Sequence, residues 1–269
     1  MSEGPRRIRC THLREKKKRG EKIVMLTAYD AAMARLLDAA GVDVLLVGDS
    51  LGMVVMGCET TLEVTLDAMI HHTRAVSRTA RRALVVADMP FMTYQAGLDE
   101  AVKNAGALLQ KGGAAAVKLE GGRAVFEVVR RMTAAGIPVM GHLGLLPQAV
   151  HQLGGFRKQA TSAAAGEQLL QDALALEEAG AFAIVLESIP DALARKVTGL
   201  LAVPAIGIGA GPGCDGQVLV INDILGLSET PPPFSKVYFD AGSAVAAAAK
   251  QFAADVRSGR FPGSEEDHK

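Results

Sequence analysis

Short apolar runs punctuate the chain at 23–27, 42–47, 84–87, 115–119, 138–141, 181–186, 204–208 and 218–221. Each is strand-length and rich in Val, Ile, Leu and Ala. Strands this apolar are covered on both faces, as parallel strands are. Amphipathic stretches lie between them at 31–40, 66–78, 98–111, 124–135, 163–178 and 191–200, and a last, alanine-rich one at 241–256 is suited to close packing. Gly41, Gly112, Gly136 and Gly180 each stand where a helical stretch ends, a place that favours a left-handed residue. Eight strands alternating with helices predict an α/β fold: a single-domain (β/α)8 TIM barrel over residues 23–257, with a doubly wound open sheet as the alternative. Two long connections, 48–65 and 143–162, break the rhythm, and loops of that length in a compact domain tend to carry function.

The flanks differ from this body. Residues 1–22 form a basic segment whose stretch 14–22 could bind an acidic partner but reads first as a solvated helix ending at Gly20, and residues 258–269 read as a flexible tail. Lys plus Arg equal Asp plus Glu at 29 each, so no charge excess calls for nucleic acid or an anionic membrane. No apolar run approaches the roughly 20 residues of a membrane span. Cys10, Cys58 and Cys214 are odd in number and show no zinc spacing, which fits a reducing cytoplasm.

In a barrel of this kind, chemistry sits where the strands end. Those positions hold Tyr29-Asp30, Asp49-Ser50, Asp88, Lys118 with Glu120, His142, Glu187-Ser188, a glycine-rich run from Gly207 to Gly213, and Asn222-Asp223. Singly, each could be a cap or a turn former. Asp49, Asp88 and Glu120 follow adjacent strands, and carboxylates so crowded repel unless a cation intervenes. Hard oxygen donors point to Mg²⁺ or a similar ion; the bland alternatives are a turn cap for Asp49 and an arginine pair for Asp88.

Lys118 and Glu120 are two apart and share a face. The lysine could bind a substrate carboxylate, form a Schiff base, or pair internally with glutamate. Glu187 ends an apolar run, surroundings that raise a carboxyl pKa and suit a general base. His142, between glycines, is a substrate donor or a structural hydrogen-bonder. "GIGAGPG" only superficially resembles a dinucleotide fingerprint, though its glycines could form an anion nest.

The ordered blocks "TAYD", "LVGDSLGM", "HHTRAV", "VVADMPFMTY", "AVKLEGG", "IPVMGHLGLLPQ", "GGFRKQA", "IVLESIP", "PAIGIGAG" and "CDGQVLV" closely resemble the ketopantoate hydroxymethyltransferase family. The likeness runs from about Ile23 to about Leu227. It implies a (β/α)8 barrel that binds Mg²⁺ and transfers a hydroxymethyl group from 5,10-methylenetetrahydrofolate to 3-methyl-2-oxobutanoate. The product is 2-dehydropantoate, in the first step toward pantothenate and coenzyme A. By the same resemblance, Asp49 and Asp88 are the direct metal ligands and Glu120 the third acidic residue of the metal site. Ser50 and Lys118 contact the keto acid, Glu187 is the base, and His142 lies near the substrate. A homodecamer is expected.

The chemistry suits these residues: a chelated Mg²⁺ would act as a Lewis acid on the keto acid while Glu187 removes the C3 proton. Two segments, "VINDILGL" and "PPPFSKVYFD", depart from the family pattern. A competing enzyme class, the C–C and P–C lyases of the isocitrate lyase and phosphoenolpyruvate mutase group, uses similar chemistry. Many of its members carry a cysteine in a gating loop, and the loop at 143–162 has none.

Overall fold

A computed structural model describes residues 7–263. The chain begins with α1 (Cys10–Lys18) and then alternates strand and helix. β1 (Ile23–Thr27), α2 (Ala31–Ala39) and β2 (Val44–Val47) lead into α3 (Leu51–Val54), α4 (Leu66–Ser77) and β3 (Leu84–Asp88). There follow α5 (Leu98–Gln110), β4 (Ala116–Glu120), α6 (Phe126–Ala134), β5 (Val139–Gly144) and α7 (Val150–Leu153). The barrel ends with α8 (Ala163–Glu178), β6 (Ala183–Glu187), α9 (Asp191–Leu200), β7 (Ala205–Ile208) and β8 (Gly216–Leu219). All neighbours pair in parallel and β8 returns to β1, so the sheet closes into an eight-stranded barrel and the open-sheet alternative falls away.

The helices start where the sequence offers caps. Asp30, Thr65 and Ser162 accept from the amides of Met33, Ala68 and Ala165 at the first turns of α2, α4 and α8. Asp30, one of the polar strand-end residues, is thereby explained as a cap.

The barrel interior is filled by every second strand residue. Ile23 and Met25, Val44 and Leu46, Leu84 and Val86, Ala116, Met140, Ala183 and Val185, Ile206 and Val218 form one apolar cluster. Ile8 and Leu13 join this cluster from the N-terminal segment, and Leu13 is fully buried.

The basic segment is therefore more than a solvated helix. Lys16 Nζ lies 2.8 Å from buried Asp43, Lys17 Nζ lies 2.8 Å from Asp215, and Lys22 Nζ donates to the Cys214 carbonyl. These lysines hold α1 under the N-terminal ends of the strands, with their apolar stems covering the core.

Residues from Ile221 onward form a separate compact unit containing α10 (Ile221–Ile224) and α11 (Ala241–Arg257). No side chain of α11 is buried, in contrast to the close packing its alanine content suggests. Part of the expected tail, 264–269, lies outside the described residues, as do residues 1–6 of the basic segment. Among the described residues no helix is long and apolar enough to cross a membrane.

Candidate active site

The site follows from the period-two face that fills the barrel. On β3 the inward positions run Leu84, Val86, Asp88; on β4 they run Ala116, Lys118, Glu120; on β5 Met140 is followed by His142; on β6 Ala183 and Val185 are followed by Glu187. One apolar plug thus gives way, strand by strand, to one charged layer at the C-terminal ends. The register places Asp88 beside Lys118 and Glu120 beside His142.

β2 contributes differently. Gly48 occupies the next inward position, and a Cβ there would stand 2.8 Å from Ser50 Oγ and 3.4 Å from Asp88 Oδ2. The bare glycine lets the chain turn, and the Asp49 amide donates to Asp88 Oδ2 (3.1 Å). Ser50 Oγ hydrogen-bonds the Tyr29 hydroxyl at 2.9 Å.

The charges sort themselves within this layer. Lys118 Nζ lies 2.8 Å from Asp88 Oδ1, so the lysine's near partner is Asp88 rather than Glu120. Burial pushes the Asp49 carboxyl well above its ordinary range, and the neighbouring Asp88 and Glu120 charges push it further. Burial also raises Asp88, against the opposing pull of Lys118. For Lys118, burial favours the neutral amine, but Asp88, Glu120 and Asp49 outweigh it and hold the ammonium form. That charge state disfavours the Schiff-base role.

His142 bridges two carboxylates. Its Nε2 is 3.1 Å from Glu187 Oε2 and its Nδ1 is 3.5 Å from Glu120 Oε1. Burial and Lys118 favour the neutral ring, yet the nearby Glu120 and Glu187 carboxylates prevail and raise its pKa to about 9. Glu187 is the most accessible member, with 15% of its side chain exposed and the His142 ring against it. Its backbone is closely held. The Leu145 amide donates to the Glu187 carbonyl (2.9 Å), and Gly144, at φ +98°, leaves room for that carbonyl where a Cβ would collide with it. Ser188 takes φ +48°, a left-handed conformation uncommon for a non-glycine residue, immediately after the carboxylate.

Two residues absent from the strand-end reading complete the layer. Gln148 Nε2 donates to Asp49 Oδ2 (2.7 Å) and to the Met89 carbonyl (2.9 Å), while the Gln148 amide donates to Glu120 Oε2 (3.0 Å). The Tyr94 hydroxyl donates to Gln148 Oε1 (2.8 Å) and accepts from the Glu120 amide (3.1 Å). Both side chains are buried. Gln148 lies in the long connection after β5 that the sequence marks as functional, but no spacing rule singles it out.

Among the described residues, no group of three His, Cys, Asp or Glu side chains is arranged to hold a metal ion. The donors nevertheless suit a hard cation. Asp49 and Asp88 stand at adjacent strand ends, where the Asp49 amide bonds Asp88, and burial together with the Asp88 and Glu120 charges opposes ionisation of the Asp49 carboxyl. Mg²⁺ typically takes one or two carboxylates and fills its shell with water and substrate oxygens.

Two glycines of the glycine-rich run are required by packing. A Cβ at Gly211 or Gly213 would collide with Asp191 or Arg195 of α9.

The sequence profile of the ketopantoate hydroxymethyltransferase family matches residues 7–264. The chain belongs to this family. It is 58% identical over 264 residues to the 3-methyl-2-oxobutanoate hydroxymethyltransferase of Syntrophus aciditrophicus, covering 98% of this chain and 96% of that protein. It is 55% identical to the enzyme of the same description from Moorella thermoacetica, covering 98% of each. Family membership makes the chain a hydroxymethyltransferase.

Among solved structures, it resembles phosphonopyruvate hydrolase in complex with oxalate and Mg²⁺ (TM-score 0.62, 16% identity, 97% of this chain and 91% of that one). It also resembles 2,3-dimethylmalate lyase of the phosphoenolpyruvate mutase and isocitrate lyase superfamily (TM-score 0.59, 19% identity, 97% and 91%). At such identities the likeness concerns the barrel fold alone.

Proposed function

We propose that the charged layer carries hydroxymethyl transfer from 5,10-methylenetetrahydrofolate to 3-methyl-2-oxobutanoate, giving 2-dehydropantoate, the first step of pantothenate and coenzyme A biosynthesis. The observation that carries this reading is the contact between Glu187 and His142, one ring away from Glu120 and beside the Lys118–Asp88 pair.

Asp49 and Asp88 would hold Mg²⁺, with Glu120 facing it as the third acid. Bound there, Mg²⁺ would supply Lewis-acid polarisation of the keto acid's 2-oxo group. Lys118, kept as an ammonium by three carboxylates, balances negative charge on the substrate. Ser50, aimed by Tyr29, offers its hydroxyl to the substrate's carboxylate end. Glu187 takes the proton from C3, and His142 Nε2 fixes the carboxylate oxygen that does not receive it. The electron pair left at C3 bonds to the folate-borne methylene carbon as one of that carbon's two C–N bonds breaks. Water then displaces the second C–N bond, giving its hydroxyl to the product and a proton to the departing tetrahydrofolate, whose other nitrogen takes the proton removed from C3. The protein acts in the cytoplasm as a homodecamer, an assembly that light scattering on a sizing column would register.

The test is donor-free proton exchange. The C3–H signal of 3-methyl-2-oxobutanoate in D₂O is followed by NMR, with Mg²⁺ or with EDTA, and with or without tetrahydrofolate. Mg²⁺-dependent exchange is expected, reduced about 10²- to 10⁴-fold in Glu187→Gln. No exchange in the native protein under any of these conditions, or undiminished exchange in the variant, sinks the assignment.

A further inference from the structure

A cavity of about 360 Å³ opens beside the charged layer without including most of it. Glu120 lines it; Asp49, Ser50, Lys118 and Glu187 do not. We propose that this cavity seats the fused heteroaromatic ring of the one-carbon donor. The proposal rests on the hydroxymethyl-transfer reading above.

Three side chains from three separate connections form its apolar walls: Leu62 from the turn Thr61–Glu63, Phe91 after β3 and Leu146 after β5. Phe91 lines the cavity and is 39% exposed, high for an aromatic residue. Apolar surface on several sides of a slot suits a flat ring, whose two faces lose water together. Gln95 and Gln152 also line it: the Gln95 side chain accepts from the Tyr94 amide (3.3 Å) and donates to Gln148 Oε1 (3.4 Å), leaving its second N–H, while an amide such as that of Gln152 can both donate and accept. A ring edge carrying amino, N–H and carbonyl groups needs that mixture; a simple aliphatic acid does not.

The volume lies at the low end of ligand sites, which span about 300–1,000 Å³. A five-carbon keto acid alone would leave much of it empty.

Position supports the same occupant. The inner end is Glu120, whose Oε1 is 3.5 Å from His142 Nδ1, and His142 Nε2 is 3.1 Å from Glu187. A ring seated in the cavity would bring its carbon unit within one imidazole of the base that frees C3. The inner wall also includes Gln148, which holds Asp49 and Glu120, and Tyr94, which holds Gln148. The donor would therefore rest on the side chains that fix the acidic layer.

Isothermal titration with tetrahydrofolate, the spent donor, tests this on the full chain. Phe91→Ala and Leu146→Ala are each expected to weaken binding about tenfold, the scale of one lost ring contact, with KM for methylenetetrahydrofolate rising in parallel. Phe91→Tyr, which keeps the ring, should restore affinity to within about threefold. KM for the keto acid, read in donor-free exchange, should not follow the donor's KM.

Native protein that binds no tetrahydrofolate overturns the proposal, and so does unchanged affinity in both alanine variants. A rise confined to the keto acid's KM would assign the cavity to that substrate instead. Native protein that binds tetrahydrofolate but performs no exchange would remove the reaction assignment while the titrations still judge the cavity.

Discussion

Gly144→Ala perturbs the site through the backbone alone. Gly144 sits at φ +98°, and an added Cβ would overlap the Glu187 carbonyl oxygen while standing 2.8 Å from Ile189 Cγ2. Two effects add. A left-handed conformation costs a residue with Cβ about 1–2 kcal/mol, offset by about 0.4–1 kcal/mol from the stiffer unfolded chain. Overpacking against backbone adds about 1–3 kcal/mol.

Gly136 supplies the control. It too is left-handed, at φ +83°, but nothing lies within 4 Å of its would-be Cβ. Gly136→Ala should carry only the first effect, a net loss of about 0–1.5 kcal/mol. The difference between the variants, about 1–3 kcal/mol by urea unfolding followed by circular dichroism, isolates the contact with Glu187. Relief of that contact must move the Glu187 backbone. Donor-free C3 exchange should therefore fall as much as about 10²-fold in Gly144→Ala and stay near native in Gly136→Ala, since a shift near 1 Å can cost that much. Equal unfolding midpoints for the two variants, or native exchange in Gly144→Ala, would refute the reasoning.

Gln148→Leu keeps the side chain's bulk but strips Asp49 of a donor and Tyr94 of an acceptor. Titration with Mn²⁺ should show metal affinity lowered about 10- to 100-fold, as loss of an orienting partner does; unchanged affinity would count against metal binding at Asp49. Asp43→Ala frees Lys16, Arg82 and the Val24 amide at the base of the barrel. Both cations are partly exposed, so a loss of about 1–3 kcal/mol is expected in urea unfolding, with exchange kinetics intact. Lys118→Met leaves the Asp49–Asp88–Glu120 group without its near cation. It should abolish measurable exchange and destabilise the metal-free protein by about 3–5 kcal/mol, and a thermal midpoint equal to native would contradict the charge balance described.

The barrel and most of its charged layer were legible in the sequence because both rest on short-range periodicity. A strand alternates its faces every residue, so apolar Ala116 followed two positions on by Lys118 and then Glu120 must be a plug turning into a charged rim. Asp88, His142 and Glu187 obey the same count on neighbouring strands, and strand order makes them neighbours.

Pairing was decided only in three dimensions. Lys118 meets Asp88 because of the β3–β4 register, and Asp30 turns out to serve α2. The basal lysines reach Asp43 and Asp215, residues 27 and 198 positions away, which no local pattern encodes. Gln148 and Tyr94 stand 54 residues apart on irregular connections, where no period forecasts direction. Their hydrogen bonds to each other and to the acidic residues exist only because the closed sheet brings the ends of β2, β3, β4 and β5 together. Periodicity thus specified which groups face inward, and barrel closure specified which of them touch.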